Sequence, residues 1–240
     1  MRKRDTSPIV AQKDKVKDKF EIFEKITWTE KQKKIIDICL DKKNTVIILD
    51  GPAGTAKTLL SVYCSLFLLN EKKVAQLIYL RSLVQSSDGE TGYLTGDLQQ
   101  KISPYGIPFF DKLEELLPKP TIQTLEKEER VKIYPVSLLR GLNFNCSAVI
   151  LDEAQNCLFD SIITTATRIG RFSKLFVLGD TRFQNDFGKK SGFRKFCEIF
   201  NDEESRENGV VYIKLTTEDI MRSGLVKFIV EKIEKLENAK

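Results

Sequence analysis

The feature that most constrains this chain is an apolar run, residues 45–50, that breaks into Gly51-Pro52-Ala53-Gly54-Thr55-Ala56-Lys57-Thr58 and resumes as an apolar helical pattern through Leu59, Leu60 and Val62. A strand that enters a glycine-containing turn and then a helix leaves the first backbone N–H groups of that helix without partners and aimed at one spot. Such a turn is built to hold an anion. In the phosphate-binding form of this unit the N–H groups surround phosphate oxygens, a lysine at the place of Lys57 bridges the terminal phosphates, and a hydroxyl at the place of Thr58 ligates magnesium. The bland alternative is an ordinary strand-to-helix turn, but strand before and helix after make the nucleotide-binding reading the stronger one. Ala56 stands where the signature has glycine, so the cradle is expected to survive if Ala56 keeps a negative φ.

The rest of the chain agrees with such a fold. Short apolar runs recur at 45–50, 77–81, 131–136, 148–152, 174–179 and 210–215, separated by helical patterns at 57–69, 97–117, 158–169, 191–200 and 217–236. Runs that are continuously apolar rather than alternating mark strands buried on both faces, as in a parallel sheet covered by helices. The expected class is α/β, with a mainly parallel central sheet between two helical layers. Upstream, Thr29-Glu30-Lys31-Gln32 has the spacing of a capping box and precedes Ile35, Ile36, Cys39 and Leu40 at helical spacing, so a helix starts there. No internal repeat or second core is visible, and residues 20–240 read as one domain behind a flexible basic tail, 1–19, that either contacts polyanions or is simply solvated.

Composition removes several chemistries. The 240 residues contain no histidine, which excludes Ser-His-Asp and Cys-His catalysis and the commonest transition-metal ligand. The cysteines, Cys39, Cys64, Cys146, Cys157 and Cys197, form no C-x-x-C pair and sit in apolar surroundings, as reduced structural thiols do. No apolar run approaches the roughly 20 residues of a membrane helix, and no apolar stretch follows Met1-Arg2-Lys3-Arg4 as a secretory signal would require; a cytoplasmic protein with no membrane partner is expected. A net charge of +5 is too small to decide for or against nucleic acid.

Carboxylates and cations are left to do the work. Val149-Ile150-Leu151-Asp152-Glu153-Ala154-Gln155 is an apolar strand ending in two acids, at the end of a parallel strand where ligands bind. Asp152 is placed to hold magnesium, and Glu153 to orient the water that attacks a γ-phosphate. The run 175–178 ends in Gly179-Asp180-Thr181-Arg182-Phe183-Gln184, where Gln184 is a candidate γ-phosphate sensor or else a surface glutamine. Arg222 opens the pattern 217–236 and is either an arginine finger or the partner of a carboxylate such as Asp219. Arg81 and Arg140 are phosphate-contact candidates with ion-pair alternatives. No Asn-Lys-x-Asp run is present to read guanine.

Together, residues 51–58, Gly92-Tyr93-Leu94-Thr95-Gly96-Asp97 with Ser103-Pro104-Tyr105, Leu139-Arg140-Gly141, Ile150-Leu151-Asp152-Glu153-Ala154-Gln155-Asn156, Thr167-Arg168-Ile169-Gly170, Gly179-Asp180 with Gln184 and Asp186, and Asp219-Ile220-Met221-Arg222 resemble the PhoH-like ATPase family in order and spacing. The resemblance implies a RecA-like P-loop NTPase domain related to superfamily 1 helicases. It also implies ATP hydrolysis with Mg2+, single-stranded RNA or DNA as partner, and a homo-oligomeric ring, such as a hexamer, in which an arginine reaches the neighbouring subunit's nucleotide. By position, Lys57 and Thr58 match its phosphate and magnesium residues, Asp152 and Glu153 its acid pair, Gln184 its sensor and Arg222 its arginine finger, while Thr29 and Gln32 sit where related helicases read adenine. Two departures stand out: Ala56 for glycine, and a sensor loop one residue longer than Asp-x-x-Gln. Chains of this length and lysine-rich composition in the family are often phage-encoded, which implies a host cytoplasm. One RecA-like half cannot unwind a duplex alone, and an ATP-gated assembly module with little or no turnover is the alternative function.

Overall fold

The computed structural model describes residues 19–23, 25–82, 98–139, 141–182, 191–221 and 224–237. Six strands form one parallel sheet: β1 (Val46–Asp50), β2 (Gln76–Arg81), β3 (Val131–Pro135), β4 (Ser147–Asp152), β5 (Lys174–Gly179) and β6 (Val210–Lys214), in the spatial order β3-β2-β4-β5-β1-β6. Strand β5 lies between β1, which feeds the glycine loop, and β4, which ends in the acid pair. The fold is three-layer α/β, a parallel sheet between two helical layers, and all six strands foreseen from apolar runs are present within a residue or two.

Strand alternation builds the layers. Ile47 and Leu49 of β1, Leu77 and Tyr79 of β2, Ile150 of β4 and Phe176 and Leu178 of β5 share one core with α1 (Glu30–Leu40), α2 (Lys57–Asn70), α3 (Leu98–Leu116) and α4 (Lys119–Lys127). Their strand neighbours Ile48, Ile78, Leu80, Val149, Leu151, Leu175 and Val177 face a second core with α5 (Phe159–Ala166) and α6 (Phe193–Ile199). Being buried on both faces is why these strands read as unbroken apolar runs. A short helix α7 (Glu203–Glu207) precedes β6, and α8 (Gly224–Glu237) follows it. No helix among the described residues is long and apolar enough to cross a membrane. All five cysteines are free and buried.

Three local expectations need correction. Helix α4 was not foreseen. Pro118, extended at ψ 141°, ends the preceding segment, and a second proline, Pro120, sits in the first turn of α4, where its missing N–H is no loss. The pattern at 217–236 is not one helix: Thr217–Asp219 is a single 3-10 turn closed by a Thr216/Asp219 capping box, Ile220 is extended, and α8 begins only at Gly224. Capping groups of this kind start and stop helices regardless of apolar spacing. Third, Ala56 does not keep a negative φ. It sits at φ 61°, ψ 22°, in the left-handed region, as the residue that turns the chain into α2.

That geometry has a measurable cost. A non-glycine residue in the left-handed region is strained by roughly 1–2 kcal/mol, so Ala56→Gly is expected to raise unfolding stability by about 1 kcal/mol, less the larger entropy of the unfolded glycine chain. Urea titrations of both proteins check this; a destabilised glycine variant would show that Ala56 is not strained.

Candidate functional site

Alternation along β4 decides where the acids go. Ala148 and Ile150 face the α2 side of the sheet, and Asp152, two residues further, faces the same way. It there meets Thr58, in the first turn of α2, whose hydroxyl donates to Asp152 Oδ2 at 3.1 Å. Two groups separated by 94 residues in sequence thus share one point, on the same side of the sheet. Tyr79, on β2 and on that same face, donates its phenol to the same Oδ2 at 2.8 Å. The Tyr79 ring is fully buried and stacked on Phe109 of α3 at 4.7 Å, and burial together with the neighbouring Asp152 charge pushes its hydroxyl well above the usual phenol range. It therefore stays protonated, and its O–H fixes Asp152 from behind.

The loop itself is tightly folded. Gly51 passes so close to the end of β6 that an added Cβ would lie 2.6 Å from the Leu215 Cβ, and Gly54 takes φ 89°. Thr55 is buried and donates from its hydroxyl to the Pro52 carbonyl at 2.9 Å. Lys57 Nζ donates to the carbonyls of Gly51 and Pro52 at 2.6 and 3.0 Å. Burial lowers the basicity of this ammonium, while Asp180, Asp152, Glu153 and Asp50 around it work in the opposite direction. From the C-terminal side, the Met221 N–H donates to the Gly54 carbonyl at 2.9 Å, which ties the segment before α8 to the loop.

Glu153 stands apart from its neighbour. Its backbone is left-handed, φ 54°, so the chain swerves at once after β4 and its side chain leaves the line of Asp152. Burial, and secondly the Asp152 charge, raise its pKa, with Arg81 the chief group opposing them. Gln155, itself buried, donates to the Glu153 carboxylate and accepts from the Asp180 N–H at 3.2 Å. The acid-pair strand and the strand β5 are thereby joined by one amide.

These residues surround a cavity of about 310 Å³. Ala53, Gly54, Ala56, Lys57 and Thr58 form one wall, and Asp152, Glu153, Gln155, Gly179 and Asp180 the other, with Lys112 and Glu115 of α3 at its side. Gly51, Pro52 and Thr55 lie buried behind the loop. Gln32 is not in the wall: it is buried, with its Oε1 accepting from the Thr29 N–H at 3.0 Å in the capping box of α1. Its helix nonetheless reaches the site region, because Lys31 pairs with Asp219 at 2.5 Å, two residues before Met221. Arg140, Gln184 and Arg222 lie outside the described residues, as do Asp186 and the run 92–97. Sequence reasoning did not assign Tyr79, Gln155, Lys112 or Glu115 to the site: Gln155 lies in the quoted acid-pair run and was passed over, whereas Tyr79 meets Asp152 only across 73 residues of chain.

The chain is 35% identical over 199 residues to a PhoH-like protein of Synechocystis, 32% identical over 195 residues to one of Bacillus subtilis, and 33% identical over 183 residues to Protein PhoH of Escherichia coli. These alignments cover 82%, 81% and 75% of this chain but 59%, 60% and 50% of the relatives, so the chain spans little more than half the length of the proteins it matches. A solved structure of Pif1 helicases, described as coordinating in DNA unwinding at forked duplexes, superposes with a TM-score of 0.36 at 16% identity, over 80% of this chain and 44% of that one. The family model for PhoH-like proteins matches residues 26–234, and this chain belongs to the PhoH-like protein family.

Proposed function

We propose that the chain hydrolyses ATP with magnesium at the cavity between the glycine loop and the acid pair. The observation that carries the reading is the meeting of Thr58 and Asp152 at 3.1 Å beside Lys57. A hydroxyl and a carboxylate are the hard oxygen donors that magnesium takes from a protein when phosphates and waters complete its octahedron. No group of three or more acidic, cysteine or histidine side chains among the described residues forms a metal cage, so a metal here relies on oxygens of the nucleotide. Charge argues the same way: the cavity wall carries Asp152, Glu153, Asp180 and Glu115 against Lys57 and Lys112, a surplus of negative charge that would repel a bare triphosphate. Bound magnesium would neutralise charge on the phosphate oxygens.

Within this site each side chain has a physical task. Lys57 would exchange its two loop carbonyls for phosphate oxygens, a cation already desolvated and so strongly attracted to the anion. Tyr79 holds Asp152 in one orientation, so the metal position is fixed before the nucleotide arrives. Glu153, with its raised proton affinity, accepts from and orients the attacking water, while Gln155 keeps its carboxylate from swinging. Gln184 and Arg222 keep their proposed roles as sensor and arginine finger, the latter acting across a homo-oligomer interface, and single-stranded RNA or DNA is the proposed macromolecular partner.

Lys57→Ala is expected to abolish ATP binding by calorimetry; undiminished affinity would remove the loop from the site. Glu153→Gln should bind ATP as the wild type does and lose turnover by on the order of a hundredfold or more. Wild-type turnover in that variant would discard Glu153 as the water-orienting group, whereas a wild type that binds ATP without releasing phosphate would favour the assembly-module reading. For Arg222, mixing Arg222→Ala with Lys57→Ala protein should restore part of the activity that each lacks, by pairing an intact loop with an intact arginine; no restoration at assembling concentrations argues for action within one subunit.

A further inference from the structure

The sheet has a second cleft, on the face away from the loop. Where Asp180 turns into the ATP cavity, the next residue, Thr181, turns to the other side, in step with the alternation of β5. Thr181 there joins Arg182, Arg194 and Cys197 of α6, and Tyr212 and Lys214 of β6 around a hollow of about 300 Å³, with Glu198 and Asn201 at its edge. Three cations from three different elements line this cleft with one acid, Glu198, while a second, Asp50, lies buried beneath it. Among the described residues no salt bridge joins Lys214, and Arg194 donates to the Thr181 carbonyl at 2.6 Å rather than to a carboxylate.

The floor is rigid and leads to the nucleotide loop. Asp50, the buried last residue of β1, accepts from the Thr181 N–H at 2.9 Å, the Thr181 hydroxyl at 2.8 Å and the Tyr212 hydroxyl at 2.7 Å. Burial and the Asp50 carboxylate push the Tyr212 hydroxyl upward, so it stays a donor and its half-buried ring is held in place. Asp50 is bonded in sequence to Gly51, and Thr181 to Asp180; each joins one cleft to the other through a single peptide.

We propose that this second cleft binds the phosphodiester backbone of single-stranded nucleic acid, with Arg182, Arg194 and Lys214 on phosphates and the Tyr212 ring and Asn201 beside the sugar and base. The inference rests on the nucleic-acid partner of the preceding section and names where that partner sits. Exposed cations around an open hollow suit the repeated single charges of a backbone, and an aromatic ring suits any base. A free nucleotide is the other source of the same phosphate chemistry, but the cleft has no glycine loop to wrap a terminal phosphate.

Fluorescence anisotropy of labelled oligouridylate and oligothymidylate, titrated with protein at several salt concentrations, tests the assignment, with ATP turnover followed in the same samples. Lys214→Gln should weaken oligonucleotide binding on the order of tenfold and flatten the slope of log affinity against log salt by about 0.7, the value of one phosphate contact on a single strand. Arg194→Gln should do the same. Lys119→Gln, on α4 behind the other face, should leave both quantities unchanged, and unstimulated turnover should be equal in all four proteins. Unchanged affinity and slope in Lys214→Gln and Arg194→Gln, an equal loss in Lys119→Gln, no oligonucleotide binding by the wild type, or displacement of the oligonucleotide by equimolar AMP would each overturn the cleft. None of these results touches the ATPase reading, which stands or falls on turnover in the wild type.

Discussion

The hydrogen bond from Thr58 to Asp152 is the constraint on which the rest of this molecule depends. It closes a loop of 94 residues and is made only if β4 lies in one register. A slip of one residue would turn Asp152 to the α5 and α6 side and bring Leu151 under the loop. Register in turn is held by the apolar faces: Ile150 and Ala148 are fully buried against α2, Val149 and Leu151 against the opposite layer, and β2 and β5 pair with β4 along its length. Burying Val149, Ile150 and Leu151 contributes about 1.5–3 kcal/mol each, whereas the Thr58 to Asp152 bond alone contributes only about 1 kcal/mol. The core positions the site, and the site contributes little to the core.

Against that stands a cluster that folding by itself would not choose. Asp50, Asp152, Glu153 and Asp180 lie close enough to act on Lys57, yet the Lys57 ammonium donates to carbonyls and not to any of them. The acids instead are held by neutral donors: Asp152 by Thr58 and Tyr79, Asp50 by Thr181 and Tyr212, Glu153 by Gln155. Hydroxyls and amides orient a carboxylate without discharging it. A buried ion pair would have satisfied the charges mutually and left none for a metal or a phosphate.

The sequence disclosed the elements that carry continuous patterns and missed the ones that depend on contact. The four inner strands were readable because burial on both faces leaves unbroken apolar runs, the edge strands β3 and β6 from their β-branched and aromatic residues although they are only half-buried, and the helix at Glu30–Leu40 because Thr29 and Gln32 form a local capping box. Helix α4 was hidden by its two prolines, and the break at Ile220 by an apolar spacing that runs across it. Lys57, Thr58, Asp152 and Glu153 could be nominated because strand ends and helix starts are local. Tyr79 could not, since its partner lies 73 residues away and a buried tyrosine in a strand reads as core. Gln32 shows the converse: its amide is spent on its own helix, a use that the residue pattern itself announces.

Ala56 joins these threads. The left-handed turn it makes follows a stretch that is pinned three times over: Gly51 is pressed against Leu215, Gly54 is tied to Met221, and Thr55 is buried against Pro52. With those contacts made, the chain enters α2 through Ala56 at φ 61°. The methyl adds strain but removes no N–H, so the donors of the loop survive the replacement of glycine. Strain of this size is tolerable only where the surrounding structure over-determines the turn, and here two of the determinants, Leu215 and Met221, come from the segment beyond β6. The segment that leaves the last strand thus holds the first loop in shape, through Leu215 and Met221, and β6 itself supplies Tyr212 and Lys214 to the far cleft.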